Sequence, residues 1–198
     1  DQTLRSPQEL FFTYDLMTSI KNIPVANTEL HLLPDGSDDY KDSFDDCFGA
    51  AVWQGIIHKC NATAIWLWER AEDGDETFNG SISYRPDCVT EVGRTSLDAN
   101  RLAYEITALQ QSEEEVGIIY SAEARVASRA FMNACFNSYL ATVYNGKKVK
   151  FITDETIDNI DGCKVIIVPF AKALPETMKN RIKEFSYNGG KVVIVGES

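Results

Sequence analysis

The chain has 198 residues, with 30 acidic side chains against 19 Lys and Arg and a formal net charge of -11, which argues against nucleic acid or an anionic membrane as its partner, since both require a basic face. Its apolar fraction of 44% and charged fraction of 25% are those of a chain able to bury a core, as one large domain or two small ones. No apolar run reaches the length of a membrane span, and an uncharged or cationic ligand suits the charge better. The five cysteines, Cys47, Cys60, Cys88, Cys135 and Cys163, are widely spaced, form no C-x-x-C pair and have only His31 and His58 to join them. That pattern predicts no metal site, no cofactor, and free thiols in a reducing cytoplasm. Asn61-Ala62-Thr63 and Asn79-Gly80-Ser81 match the glycosylation acceptor pattern, which is too short to carry weight.

In chain order, Ser6-Pro7-Gln8-Glu9 is a capping sequence that opens a helix ending near Lys21-Asn22. The stretch Ile23 to His31 reads as a buried strand whose tip carries Glu29 and His31. A polar turn over Leu32 to Asp39 follows, and Ser43 caps a second helix that ends at His58-Lys59. Ala62 to Trp68 is a β-branched and aromatic strand terminating at Glu69-Arg70. Residues Ala71 to Tyr84 form a long polar loop. A short helix from Pro86 to Val92 and a longer one capped at Thr95 or Ser96 and closing near Gln111 complete the first half. The charged segment Ser112 to Glu115 divides the chain into 1-113 and 114-198.

Beyond it the alternation is regular. Strands at Val116 to Ser121, Val149 to Ile152, Lys164 to Pro169 and Lys191 to Val195 are separated by helices over Ala124 to Tyr144 and Pro175 to Tyr187, both stopped by Asn-Gly. Such alternation predicts a parallel sheet, with the four strands in the order second, first, third, fourth. The turn Ser121-Ala122-Glu123-Ala124 is too bulky and acidic to hold a pyrophosphate, and no Walker loop or G-x-G-x-x-G exists. The switch point would gather Ser121 and Phe170-Ala171, none of them reactive. Cys135 and Cys163 have no histidine in their half of the chain to serve as a base for acyl chemistry.

The chemistry therefore concentrates at the ends of the first two strands. Glu29, His31, Trp66, Trp68, Glu69 and Arg70 fall in one cleft if those strands are parallel neighbours. Carboxylates beside indole faces are the equipment of carbohydrate sites, the acids for glycosidic chemistry and the indole for the apolar face of a sugar. One of Trp66 and Trp68 is expected to fill core instead.

Asn27-Thr28-Glu29-x-His31, Ala62 through Arg70, Ser81-Ile82-x-x-Arg85-Pro86 and Gly93-Arg94-x-x-Leu97-Asp98-x-Asn100-Arg101-Leu102 together resemble the closing part of a β-galactosidase-like glycoside hydrolase of family 42. The resemblance implies an α/β fold: a partial β/α barrel, its last strands and helices, followed by a flavodoxin-like, glutamine-amidotransferase-like parallel sheet from Val116 onward that lacks amidotransferase chemistry and helps form a homo-oligomer. It implies Glu29 as the nucleophile of a retaining mechanism at the seventh barrel strand, and Trp66 or Trp68 as the aromatic platform of the eighth. His31, Glu69 and Arg70 would then join Trp66 and Trp68 in binding carbohydrate. The family's acid/base Glu, preceded by Asn on the fourth strand, has no counterpart in this sequence, so the chain is expected to be an excised or incomplete portion, inactive in isolation. The alternative is a non-catalytic, amidotransferase-like module for oligomerisation or interaction.

Overall fold

β-branched runs separated by amphipathic helices favour a parallel sheet, because a helix returning across the strands covers the apolar face that the next strand extends. The computed structural model describes residues 7-21, 23-31, 45-66, 68, 82, 83 and 85-196. The caps read at Ser6 and Ser43, the turn Leu32 to Asp39, Glu69, Arg70 and most of the loop over 71-84 lie outside the described residues. The chain divides into two compact units, Asp1–Tyr14 with Ile23–Ser112, and Asp15–Asn22 with Glu113–Ser198.

The first unit contains the opening of α1 (Pro7–Ile20), β1 (Val25–His31), α2 (Asp45–Ile57), β2 (Cys60–Trp66), α3 (Pro86–Arg101) and α4 (Ala103–Gln110). β1 and β2 pair in parallel. Leu30, Phe48, Ile82 and Cys88 form a buried cluster, with Leu10, Ala51, Ile65 and Val92 packed against it. Phe11 on α1 stacks on His58 at 5.1 Å between ring centroids. α2 closes through Lys59, whose left-handed conformation (φ 63°) turns the chain directly into β2. One helix runs through Thr95 and Ser96, where a cap was expected. Thr95 is buried inside α3 and the Ser96 hydroxyl bonds back to the Val92 carbonyl at 2.8 Å, the alternative open to a hydroxyl within a continuous helix.

The second unit contains β3 (Val116–Tyr120), α5 (Ala122–Ala127), α6 (Arg129–Tyr144), β4 (Val149–Thr153), β5 (Val165–Pro169), α7 (Glu176–Tyr187) and β6 (Lys191–Val195). Its strands are all parallel, in the order β4-β3-β5-β6, which is the order expected from the sequence. The expected helix over Ala124 to Tyr144 is two. Ser128 leaves helical geometry (φ -147°, ψ 117°), and its hydroxyl accepts from the Phe131 N–H as the cap of α6, the usual role of serine at a helix start. Gly146 and Gly189 take positive φ just past α6 and α7, the left-handed stop for which glycine is suited.

Ile118, Ile119, Phe151, Ile152 and Ile166 are fully buried within this sheet. Tyr139 on α6 stacks on Phe151 at 5.7 Å and donates to the Asp15 carboxylate at 2.6 Å. Burial, and secondarily the Asp15 charge, push its phenol far up. On the β4 edge the Phe151 N–H donates to the Ser19 hydroxyl at 3.0 Å, so one amide of an outer strand is occupied. Arg181 on α7 pairs with Asp158, Asp161 and Glu184, tying α7 to the 3-10 turn Ile157–Gly162. Burial pushes the Cys135 thiol up to about 12, which keeps it protonated and inert near neutral pH. No helix among the described residues is long and apolar enough to cross a membrane.

At the switch point, Ser121 caps α5 through its hydroxyl and Phe170 adopts a left-handed conformation (φ 46°) after β5.

Gly117 sits at a close-packed point of this sheet. A Cβ added there would lie 2.8 Å from Cys163 Sγ, 3.1 Å from Ile166 Cγ2 and 3.3 Å from Ile152 Cγ1. Gly117→Ala is therefore expected to destabilise the unit by about 1–3 kcal/mol, the usual cost of overpacking, read as a lower urea midpoint with an unchanged slope.

Candidate functional site

The ladder between β1 and β2 places the candidate residues. Val25 pairs with Cys60, but Ala26 pairs with Ala62, so β2 holds one extra residue at Asn61. Asn27 pairs with Thr63 and Leu30 with Ile65, so β1 then holds one extra residue across Thr28 and Glu29. The two irregularities act in opposite senses and restore the first register, bringing His31 opposite Trp66 at the carboxyl ends of both strands. A bulge of this kind re-aims the side chain it carries. The Asn61 side-chain oxygen accepts from the Val25 N–H at 2.9 Å, supplying a partner where β2 departs from regular pairing.

Glu29 lies near the carboxyl end of β1, two residues before its last residue His31. Its side chain is 57% exposed, and one carboxylate oxygen lies 3.8 Å from His31 Nε2. The His31 ring stacks on Trp66 with centroids 5.6 Å apart and planes at 25°. His31 Nδ1 and Trp66 Nε1 are both buried atoms. Carboxylate, imidazole and indole thus form one row across the two strand ends.

Trp68 is 61% exposed and lies past the end of β2. Its carbonyl accepts from the Ser83 N–H at 3.0 Å. β2 begins and ends two residues earlier than expected, so Trp66 and not Trp68 closes it. Neither tryptophan fills the core: Trp66 is half-buried against His31, and Trp68 faces solvent. The continuous buried run expected from Ile23 is also absent, since Ile23 and Pro24 are exposed ahead of the strand and only Val25 and Leu30 of β1 are buried. Proline cannot donate to the ladder, which delays the strand start. Glu69 and Arg70, the remaining candidates, fall outside the described residues.

Asn27 and Tyr14 were not singled out as site residues. The Asn27 side-chain oxygen accepts from the Glu29 N–H at 3.1 Å, and its amide nitrogen donates to the Tyr14 hydroxyl at 2.7 Å. Asparagine bonding to the backbone two residues on is a recognisable local pattern, but its second partner lies on α1, far away in sequence. Burial raises the Tyr14 phenol above its ordinary value. The hydrogen bond from Asn27 opposes that shift, and Cys60 adds to it.

No family model and no curated protein matches this chain, but solved structures do. An exo-carrageenase of glycoside hydrolase family 42 from Bacteroides ovatus aligns with a TM-score of 0.80 at 26% identity, over 94% of this chain and 26% of its own. A family 42 β-galactosidase from G. stearothermophilus aligns with a TM-score of 0.72 at 18% identity, over 95% of this chain and 29% of its own. A β-galactosidase from the haloarchaeon Halorubrum lacusprofundi aligns with a TM-score of 0.68 at 14% identity, over 97% and 30%. The fold is that of a glycoside hydrolase portion. More particularly, the chain is similar to a C-terminal part of the family 42 enzymes and spans 26% to 30% of the length of these three.

The row of residues rests on Leu30, which is 2% exposed in the buried cluster directly beside Glu29. Leu30→Ala is expected to cost about 2–5 kcal/mol, the range for emptying a core leucine site. Glu29→Gln, at an exposed side chain of similar shape, should stay within about 0.5 kcal/mol of the parent. Thermal unfolding of the two variants separates a structural role for this position from a chemical one.

Proposed function

We propose that this chain is part of a retaining glycoside hydrolase acting on a β-galactoside-like carbohydrate, with residues 1-113 forming the end of its β/α barrel and Glu29 serving as nucleophile. The observation that carries the proposal is the Glu29, His31 and Trp66 row at the carboxyl ends of two parallel strands, the edge on which β/α barrels hold their chemistry. Similarity to β-galactosidases and to an exo-carrageenase supports the same class of substrate.

In this mechanism a Glu29 carboxylate oxygen attacks the anomeric carbon while a second carboxyl protonates the departing glycosidic oxygen. The bond from Glu29 to the sugar forms as the glycosidic bond breaks. Water, deprotonated by that second group, then displaces Glu29 with net retention. The two carboxyls must stand about 5–5.5 Å apart, and the second is supplied by another strand of the longer enzyme, so the isolated chain does not turn over. The exposed Trp68 indole packs on the sugar's apolar face. Trp66 lines the platform behind His31, and His31, Glu69 and Arg70 bind hydroxyls.

In the longer enzyme, Glu29→Gln is expected to lower turnover of an aryl galactoside by several orders of magnitude with the fold intact. Azide added to Glu29→Gly should restore glycosyl transfer with inverted product, because a small anion fits the vacated place. Near-normal turnover of the Gln variant would demote Glu29 to a solvated acid on the strand and make Glu69 the better candidate.

Residues 114-198 are proposed to be an amidotransferase-like unit that assembles the protein as a homo-oligomer in a reducing cytoplasm. Supporting the first part of this, the all-parallel order β4-β3-β5-β6 is the doubly wound arrangement that the resemblance implies for such a unit. Sedimentation should then report a concentration-dependent oligomer. A clean monomer across the accessible concentration range would overturn this second part and leave the glycosidase proposal standing.

A further inference from the structure

We infer that Asn27, braced by Tyr14, is a positioning residue for the Glu29 carboxylate; the inference rests on the reading of Glu29 as nucleophile. Glu29 rides on the irregular part of β1, where one strand holds a residue more than its neighbour. A bulged residue loses regular ladder pairing, so something other than the sheet must fix where the backbone launches the side chain. With that side chain more than half exposed, packing alone does not hold the carboxylate.

Asn27 supplies the fixing bond. A backbone N–H only donates, so the Asn27 oxygen must face Glu29, and its NH2 must therefore face the Tyr14 hydroxyl. The amide has one orientation that satisfies both partners. Tyr14 is 3% exposed, so its hydroxyl is held by packed protein rather than by solvent. Packing on α1 is thus transmitted through one side chain to the peptide N–H of Glu29. His31 stands 3.8 Å from the carboxylate, a separation of the sort that closes when substrate binds. Its contact is useful only if the backbone beneath Glu29 stays in place.

The test uses the longer enzyme with an aryl galactoside. Asn27→Ala is expected to lower kcat roughly tenfold to a hundredfold, the scale set by a misplacement of about 1 Å, with KM little changed. Tyr14→Phe, which removes only the brace, should show a smaller loss of the same kind. Asn27→Asp retains an acceptor for the Glu29 N–H and takes the Tyr14 hydroxyl as donor, so it should recover part of kcat. Trapping with a 2-deoxy-2-fluoro galactoside separates position from folding. Asn27→Ala should reach the same final stoichiometry of labelled Glu29 as the parent, at a lower rate. A labelled fraction that falls in proportion to kcat would make Asn27 merely structural and overturn the inference, as would unchanged kinetics in both Asn27→Ala and Tyr14→Phe. Glu29→Gln is the control. If it is inactive while the Asn27 and Tyr14 variants are normal, the positioning inference alone fails. If it keeps turnover, the nucleophile reading fails and takes the inference with it.

Discussion

An extra residue on β2 at Asn61 and another on β1 at Thr28 and Glu29 displace the ladder in opposite senses, and His31 faces Trp66 only because the two displacements cancel. Leu30 enters the buried cluster while Glu29 beside it reaches solvent. In a regular strand those two neighbours would simply alternate with the rest, Glu29 sharing a face with Val25, Asn27 and His31. The irregularity breaks that alternation, leaving Val25 and Leu30 as the buried residues of β1, while keeping the strand ends in register. Each slip has its own polar side chain beside it, Asn61 bonding to Val25 at the first and Asn27 bonding to Glu29 at the second.

The second unit is organised differently. Its three parallel pairings run without a slip, and its central strands are packed so closely that Gly117 has no room for a methyl group. The two outer strands are unlike each other. On β4, Phe151 is covered by Tyr139 on its ring and by Ser19 at its amide, whereas β6 exposes Val193 and Ile194. The buried Cys135 thiol, held protonated by its surroundings, fits a packing role.

The strand order of this sheet was legible because Val- and Ile-rich runs alternate with helical patterns closed by Asn-Gly, and every local signal agreed. The helix break at Ser128 was not. A serine within an alanine-rich run reads equally as a helical residue or as a cap, and only the bond to the Phe131 N–H decides. At Thr95 and Ser96 the same ambiguity resolved the other way. β2 starts at Cys60, before the β-branched residues that marked it in sequence, because pairing with Val25 outweighs the weak strand preference of Cys60 and Asn61. At the site, the meeting of Glu29, His31 and Trp66 followed from parallel pairing of two strands. The bulge could not be read, since Val25, Asn27, Glu29 and His31 keep an unbroken period of two in sequence. Asn27 carried half of its signal locally, in the oxygen that faces Glu29, and the other half on Tyr14, which only the fold brings near.

Because the two slips compensate, the lengths of the paired strands are linked. Losing the extra residue of β2 alone would leave its end out of step with β1, and losing that of β1 alone would do so in the other direction. Losing both would return a regular ladder, with His31 again opposite Trp66 but with Glu29 carried differently. In genetic terms the two irregularities behave as a lesion and its suppressor, so insertions and deletions in this stretch are tolerated in pairs across the ladder or not at all.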